Sequence, residues 1–149
     1  MLKPQHVISA VVLVLAGAPA PAAEAPLTLT FTDSQLQWGA CPDFIPQGCE
    51  IAVLHGDPTQ GNADVFFKVP ANFTIPEHWH TSAERMVLVS GELQVSYDGA
   101  PTTVLKPGMY AYGPPRLAHR AICGSVAPCV LFIAFDAPLD AFAGKGGGP

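Results

Sequence analysis

An all-β, single-domain fold of the sandwich or jelly-roll barrel type is predicted by three observations. Short runs rich in Val, Ile, Phe, Tyr and Thr, the residues that strands favour, recur along the chain. The segments between them are built from Pro, Gly, Asp and Asn, which supply turns with a fixed or positive φ. Beyond the N-terminus no long amphipathic helical pattern occurs. With 149 residues the chain can bury one real core but not two.

Taken in order, the N-terminal stretch MLKPQHVISAVVLVLAGAPAPAAEAP is set apart first. It has a basic head at Lys3, an apolar run from Val7 to Ala16 and then small residues, the layout of a secretory signal peptide. Cleavage is expected after Ala22, so residues 1–22 form the leader and the mature protein is periplasmic or secreted. The apolar run is too short to span about 30 Å of hydrocarbon, so no membrane association is expected once the leader is removed.

The barrel domain is expected over residues 27–142. Its runs are LTLTF, CEIAVLH, DVFFKV, RMVLVS, ELQVSY, TTVL, MYAY, HRAIC and CVLFIAF. HGDPTQGNA, DGAP, KPG and GPP punctuate them, and most of the 16 prolines fall between runs, as β-edges and turns require. Residues 143–149, rich in glycine, read as a flexible tail.

Composition narrows the function classes. Hydrophobic residues make up 49% and charged residues 13%, which fits a folded core and not a disordered chain. The formal net charge of −5 offers no basic patch to neutralise phosphates, so nucleic acid is not an expected partner. The four cysteines, Cys41, Cys49, Cys123 and Cys129, are an even number in an exported chain and suggest disulfides. Four cysteines allow three connectivities; local pairing, Cys41 with Cys49 and Cys123 with Cys129, is expected. The second bond would staple a hairpin across GSVAP. A four-thiolate zinc site is the alternative, without C-x-x-C spacing to support it, and free buried thiols are another.

The stretch PEHWHTSAERMVLVSG carries the densest chemistry. On a strand, residues two apart share a face, so His78 and His80 would project together with Trp79 opposite. Glu84, at an even offset from His80, would return to that face in continuous register. Two imidazoles and a carboxylate suit a divalent metal. From these residues alone, a metal site and an ordinary exposed histidine pair both remain open.

Downstream, PGMYAYGPPRLAH places Gly108, Pro114 and His119 in sequence. Together the two stretches resemble the paired motifs of the cupin superfamily. In the first motif His78, His80, Glu84 and Gly91 match, while its opening glycine is absent and Ala71, Asn72 and Phe73 occupy that neighbourhood. In the second, Gly108, Pro114 and His119 match, with Arg116 in place of a glycine and Cys123 in place of an asparagine. Sixteen residues separate Gly91 from Gly108, close to the shortest gap usual in cupins. The wording also resembles small exported bacterial cupins and the cupin half of ChrR-type anti-sigma factors.

The resemblance implies a double-stranded β-helix (jelly-roll) barrel holding one divalent metal ion per chain through His78, His80, Glu84 and His119. Mn or Fe is favoured, with Ni or Zn also compatible with the ligand set. An octahedral ion so bound would keep two adjacent positions open for a substrate oxygen or dioxygen. The implied function is a metal-dependent, dioxygenase-like oxidoreductase acting on a small oxygen-rich molecule, with decarboxylation and isomerisation behind it. The alternative is a non-catalytic periplasmic module that binds or senses a metal or small ligand. A homodimer is expected by family analogy.

The remaining polar and aromatic candidates have ordinary readings beside their functional ones. His55 is an acid–base group or a hydrogen-bonding residue at a strand end. Tyr110 and Tyr112 line a pocket or pack the barrel. Arg116 gates the mouth or sits solvated in a loop. Arg85 and Trp79 are expected to point away from the ligands.

Overall fold

The computed structural model describes residues 24–146. The expected leader, residues 1–22, and the end of the expected tail lie outside them. The described residues form eleven strands and no helix: β1 (Trp38–Ala40), β2 (Glu50–Asp57), β3 (Gly61–Val69), β4 (Phe73–Trp79), β5 (Glu84–Ser90), β6 (Leu93–Tyr97), β7 (Thr103–Leu105), β8 (Tyr110–Gly113), β9 (His119–Cys123), β10 (Cys129–Phe135) and β11 (Phe142–Ala143). They build two antiparallel sheets, one ordered β1-β2-β3-β10-β5-β8 and the other β11-β4-β9-β6-β7. From β3 onward the chain changes sheet at every connection except β6 to β7. That interleaving is the winding of a double-stranded β-helix, the jelly roll the sequence predicts.

Period-two alternation explains why the two sheets close on each other. In β5, Glu84, Met86 and Leu88 are buried while Arg85, Val87 and Val89 are partly exposed. The inner faces contribute Val65, Leu88 and Ile133 from one sheet and Ile75, Val95 and Ala121 from the other, all in one core. Burying each large aliphatic side chain contributes about 1.5–3 kcal/mol, and such contacts hold the barrel shut. A second cluster on the reverse side of the larger sheet joins Leu36, Ala52, Phe66 and Val130.

The run LTLTF is not a strand. Asp33 captures the backbone amide and hydroxyl of Thr30, and the Asp33 amide donates to the Thr30 carbonyl at 3.1 Å. This local bonding competes with a sheet ladder and turns the chain. Leu29 and Phe31 pack instead on the second cluster, and the first strand forms later, at Trp38–Ala40.

Both cysteine pairs are as expected: Cys41–Cys49 and Cys123–Cys129 are bonded, with Cα separations of 5.5 and 5.8 Å. The second bond does not staple a hairpin, however. β9 lies between β4 and β6 in one sheet, whereas β10 lies between β3 and β5 in the other. The bond therefore ties the two sheets together at a corner. Gly91 makes room for it: its φ is +85°, and a Cβ there would fall 2.8 Å from the Cys129 sulfur. Both conformation and space demand glycine.

Candidate metal centre

His78, His80, Glu84 and His119 meet inside the barrel, each between 4 and 8% exposed. His78 and His119 face one another across β4 and β9, where they are register partners. His80 lies just past the end of β4, and its ring centroid is 4.9 Å from that of His78. Alternation thus brings the H-x-H pair together as the sequence predicts.

Glu84 arrives by a different route from the one expected. No continuous strand carries it back to the histidine face, because the chain leaves β4 after Trp79, turns through residues 80–83 and starts β5 in the other sheet. The carboxylate then points inward from the opposite wall. Its two oxygens lie 3.3 Å from His80 Nε2 and 3.3 Å from His119 Nε2.

The hydrogen bonds fix which nitrogen is free. Nδ1–H of His78 donates to the Pro76 carbonyl at 2.8 Å, that of His119 to the Leu117 carbonyl at 3.1 Å, and that of His80 to the Asp140 carbonyl. A carbonyl accepts only, so each Nδ1 carries the proton and each Nε2 keeps its lone pair. One donor atom from each of the three rings can be chosen so that all lie within 4.8 Å of one another, and the group could hold a metal ion. His80 Nε2 and Glu84 Oε2 are buried without a hydrogen-bond partner. Unpaired buried polar atoms are costly, and a cation between them would relieve both. The donor set therefore fits a divalent ion.

Electrostatics point the same way. Burial pushes the Glu84 carboxyl up to about 7, and the electrostatic influence of His78 works in the opposite direction. Burial, reinforced by His78 and His80, takes His119 down to about 3. His78 and His80 are also lowered, mainly by burial. All three imidazoles are neutral near pH 7, the state in which they coordinate metals.

A cavity of about 70 Å³ opens onto this group. Apart from the three histidines, Glu84 and Asp140, its lining is apolar, including Ile75, Met86, Val95, Leu131 and Phe135. Two segments away from the motifs complete its walls. The loop closed by Cys41–Cys49 contributes Cys41, Pro42 and Ile45, and its Phe44 ring lies 5.9 Å from His78. The strap after β10 contributes Leu139, Asp140 and Ala141. Tyr97, the register partner of His119, has a buried hydroxyl without a hydrogen-bond partner, and burial raises its pKa. No local sequence pattern marks any of these residues, because they reach the site only through the winding of the sheets.

The other candidates lie elsewhere. His55 is exposed and pairs with Glu24 at 3.1 Å. Tyr110 and Tyr112 are exposed and neither line the cavity nor pack the barrel interior. Arg85 points outward to Asp136, and Trp79 stacks on Phe142 with centroids 4.5 Å apart, both away from the histidine group as expected. Arg116 is exposed and has a φ of 64°, while Asn72, six positions before His78, has a φ of 57°. Both adopt the left-handed conformation that glycine favours, so the turns survive the loss of glycine; asparagine tolerates it readily, arginine less so.

An interleaved two-sheet barrel with an inward histidine group defines a cupin. The ChrR cupin-like domain family model matches residues 28–138, and the chain belongs to that family. No curated protein matches significantly. Among solved structures, the DMSP lyase DddQ from Ruegeria pomeroyi DSS-3 superposes with a TM-score of 0.63 at 19% identity, over 76% of this chain and 64% of that one. The chain thus spans less than two thirds of the lyase. An RmlC-like cupin from Shewanella frigidimarina NCIMB 400 gives 0.57 at 23% identity, over 70% of this chain and 86% of its own. KdgF from Halomonas sp. gives 0.55 at 19% identity, over 70% and 89%. These likenesses establish the fold.

Proposed function

We propose that this is an exported cupin enzyme whose metal is held by His78, His80, Glu84 and His119. The observation that carries the reading is the convergence of three Nε2 lone pairs and a buried carboxylate, with His80 Nε2 and Glu84 Oε2 otherwise unpaired. The two disulfides support an oxidising compartment, in keeping with a periplasmic or secreted protein. A bound divalent ion would polarise a substrate oxygen, and iron or manganese would add redox chemistry.

The chain's own residues limit what enters. No lysine or arginine lines the cavity, and beyond the histidines and Glu84 its walls offer almost no hydrogen-bonding side chain. A polyol or polyacid would lose its hydration without replacement partners. A compact molecule with one oxygen-bearing end and an apolar remainder matches the lining better. That narrows the small oxygen-rich substrate expected from the motifs. The likeness in fold to a DMSP lyase places elimination beside oxidative cleavage as a reaction to test.

A second reading, a non-catalytic metal- or ligand-binding module, is favoured by one observation. The cavity is small, and two loops supply part of its walls.

Elemental analysis of the purified protein and of His80→Ala and Glu84→Gln variants tests the metal. About one ion per chain is expected in the native protein, with clear loss in both variants. Unchanged stoichiometry in His80→Ala would refute the site. Oxygen uptake and substrate turnover by the metal-replete protein then separate enzyme from binding module.

A further inference from the structure

We infer that Asp140 is the positioning residue for His80, and that the strap after β10 thereby sets how tightly the centre holds a metal. The three histidines are not anchored alike. His78 and His119 sit on paired strands, and each bonds a carbonyl two residues earlier in its own strand or turn. His80 lies outside any strand, and its Nδ1–H reaches a carbonyl 60 residues away.

That carbonyl belongs to Asp140, whose side chain fixes its place. One carboxylate oxygen accepts the Thr81 amide at 2.8 Å, and the other accepts the Thr81 hydroxyl. The same residue therefore grips the ring of His80 with its backbone and the residue after it with its side chain. The strap is held at both ends. Ser82 Oγ accepts the amides of Asp136 and Ala137 at 3.0 Å each, and the Leu139 amide donates to the Pro58 carbonyl at 2.8 Å. Beyond it, β11 pairs with Trp79 and His78, and the Gly144 amide donates to the Glu77 carbonyl at 2.8 Å. Removing the carboxylate leaves the Asp140 carbonyl in the chain but frees it to drift from His80.

The role assigned to Asp140 in metal affinity rests on the proposed metal at the histidines, so two readouts are needed. In the metal-free full chain, the His80 Nδ1 proton is followed by ¹⁵N-edited NMR. In the Co(II)-loaded chain, affinity is measured by chelator competition and geometry by the visible ligand-field spectrum. Asp140→Ala should expose the His80 Nδ1 proton to solvent exchange, weaken Co(II) binding about tenfold or more, and shift the spectrum. Asp140→Asn should stay close to the native protein, because its amide oxygen accepts the Thr81 amide while its amide N–H donates to the Thr81 hydroxyl. Thr81→Val, which keeps the amide and loses the hydroxyl, should fall between them and serves if Asp140→Ala fails to fold. A protected Nδ1 proton in Asp140→Ala, with native affinity and spectrum, overturns the positioning role while leaving the metal reading intact. A native protein that binds no Co(II) overturns the metal reading and with it the affinity role.

Discussion

Glu84 and the histidines around it have protonation preferences that act in opposite directions. Burial raises Glu84 to about 7 and depresses His78, His80 and His119, the last to about 3. On the proposed ligation, the imidazoles are already free of competing protons near neutrality, and the proton an ion must displace is that of Glu84. Apparent metal affinity should therefore rise about tenfold per pH unit up to pH 7 and flatten above it. Chelator-competition titrations from pH 5.5 to 8 measure this; a flat profile for the native protein would remove Glu84 from the ligand set. In the metal-free protein, the raised Glu84 pKa costs stability fully above pH 7, and that cost disappears as pH falls towards 4.5. The histidines contribute stability that is fully present above pH 6.5 and lost as pH falls below it. With three histidines against one glutamate, metal-free melting should be highest near neutrality and drop on acidification. At this scale the site was largely legible, because H-x-H, the glutamate and His119 stand at fixed spacings. Asp140 was not, since a residue that acts through a carbonyl leaves no trace in side-chain type.

Eight of the eleven strands match β-branched and aromatic runs, while LTLTF reads as a strand and is not one; sheet membership was not readable at all. CVLFIAF reads as a buried strand in any all-β fold; only its pairing with β3 and β5 places it away from its neighbour β9. The same blindness made the Cys123–Cys129 bond look like a hairpin staple. The two disulfides consequently have different expected effects. Closing loops of this size stabilises by about 2–3 kcal/mol in the chain-entropy account. Replacing both Cys123 and Cys129 by alanine should cost about that much and leave the metal centre's affinity nearly native. Replacing Cys41 and Cys49 should cost a similar amount and also speed metal release, because their loop walls the cavity and sets Phe44 beside His78. Chemical denaturation gives the first quantity, and stopped-flow chelation gives the second. Equal release rates in the two variants would show that the loop does not guard the site.

Across the whole molecule, the centre draws on both sheets. His78 and His119 come from the smaller sheet, Glu84 from the larger, and His80 from the connection between them. This explains why the fold could be read although two of its motif glycines are absent. Asn72 and Arg116 reproduce the left-handed turns of the missing glycines, so the strands still deliver the histidines and Glu84 to one point. On the proposed ligation, metal binding would be tied to global stability, since an ion at this point would link the two sheets from inside. A ligand at 100 times its dissociation constant stabilises the native state by about 2.7 kcal/mol. Chelation should therefore lower the melting temperature of the whole domain by several degrees, in one cooperative transition. Readdition of Mn(II), Fe(II), Ni(II) or Zn(II) should restore it, to a degree that follows each ion's affinity for the site. Glu84→Gln should keep the metal-free melting temperature or raise it above pH 7, because it removes a buried carboxylate, yet respond only weakly to added metal. Should the melting temperature ignore all four ions in the native protein, the inward histidine group would be a packed polar core and not a metal centre.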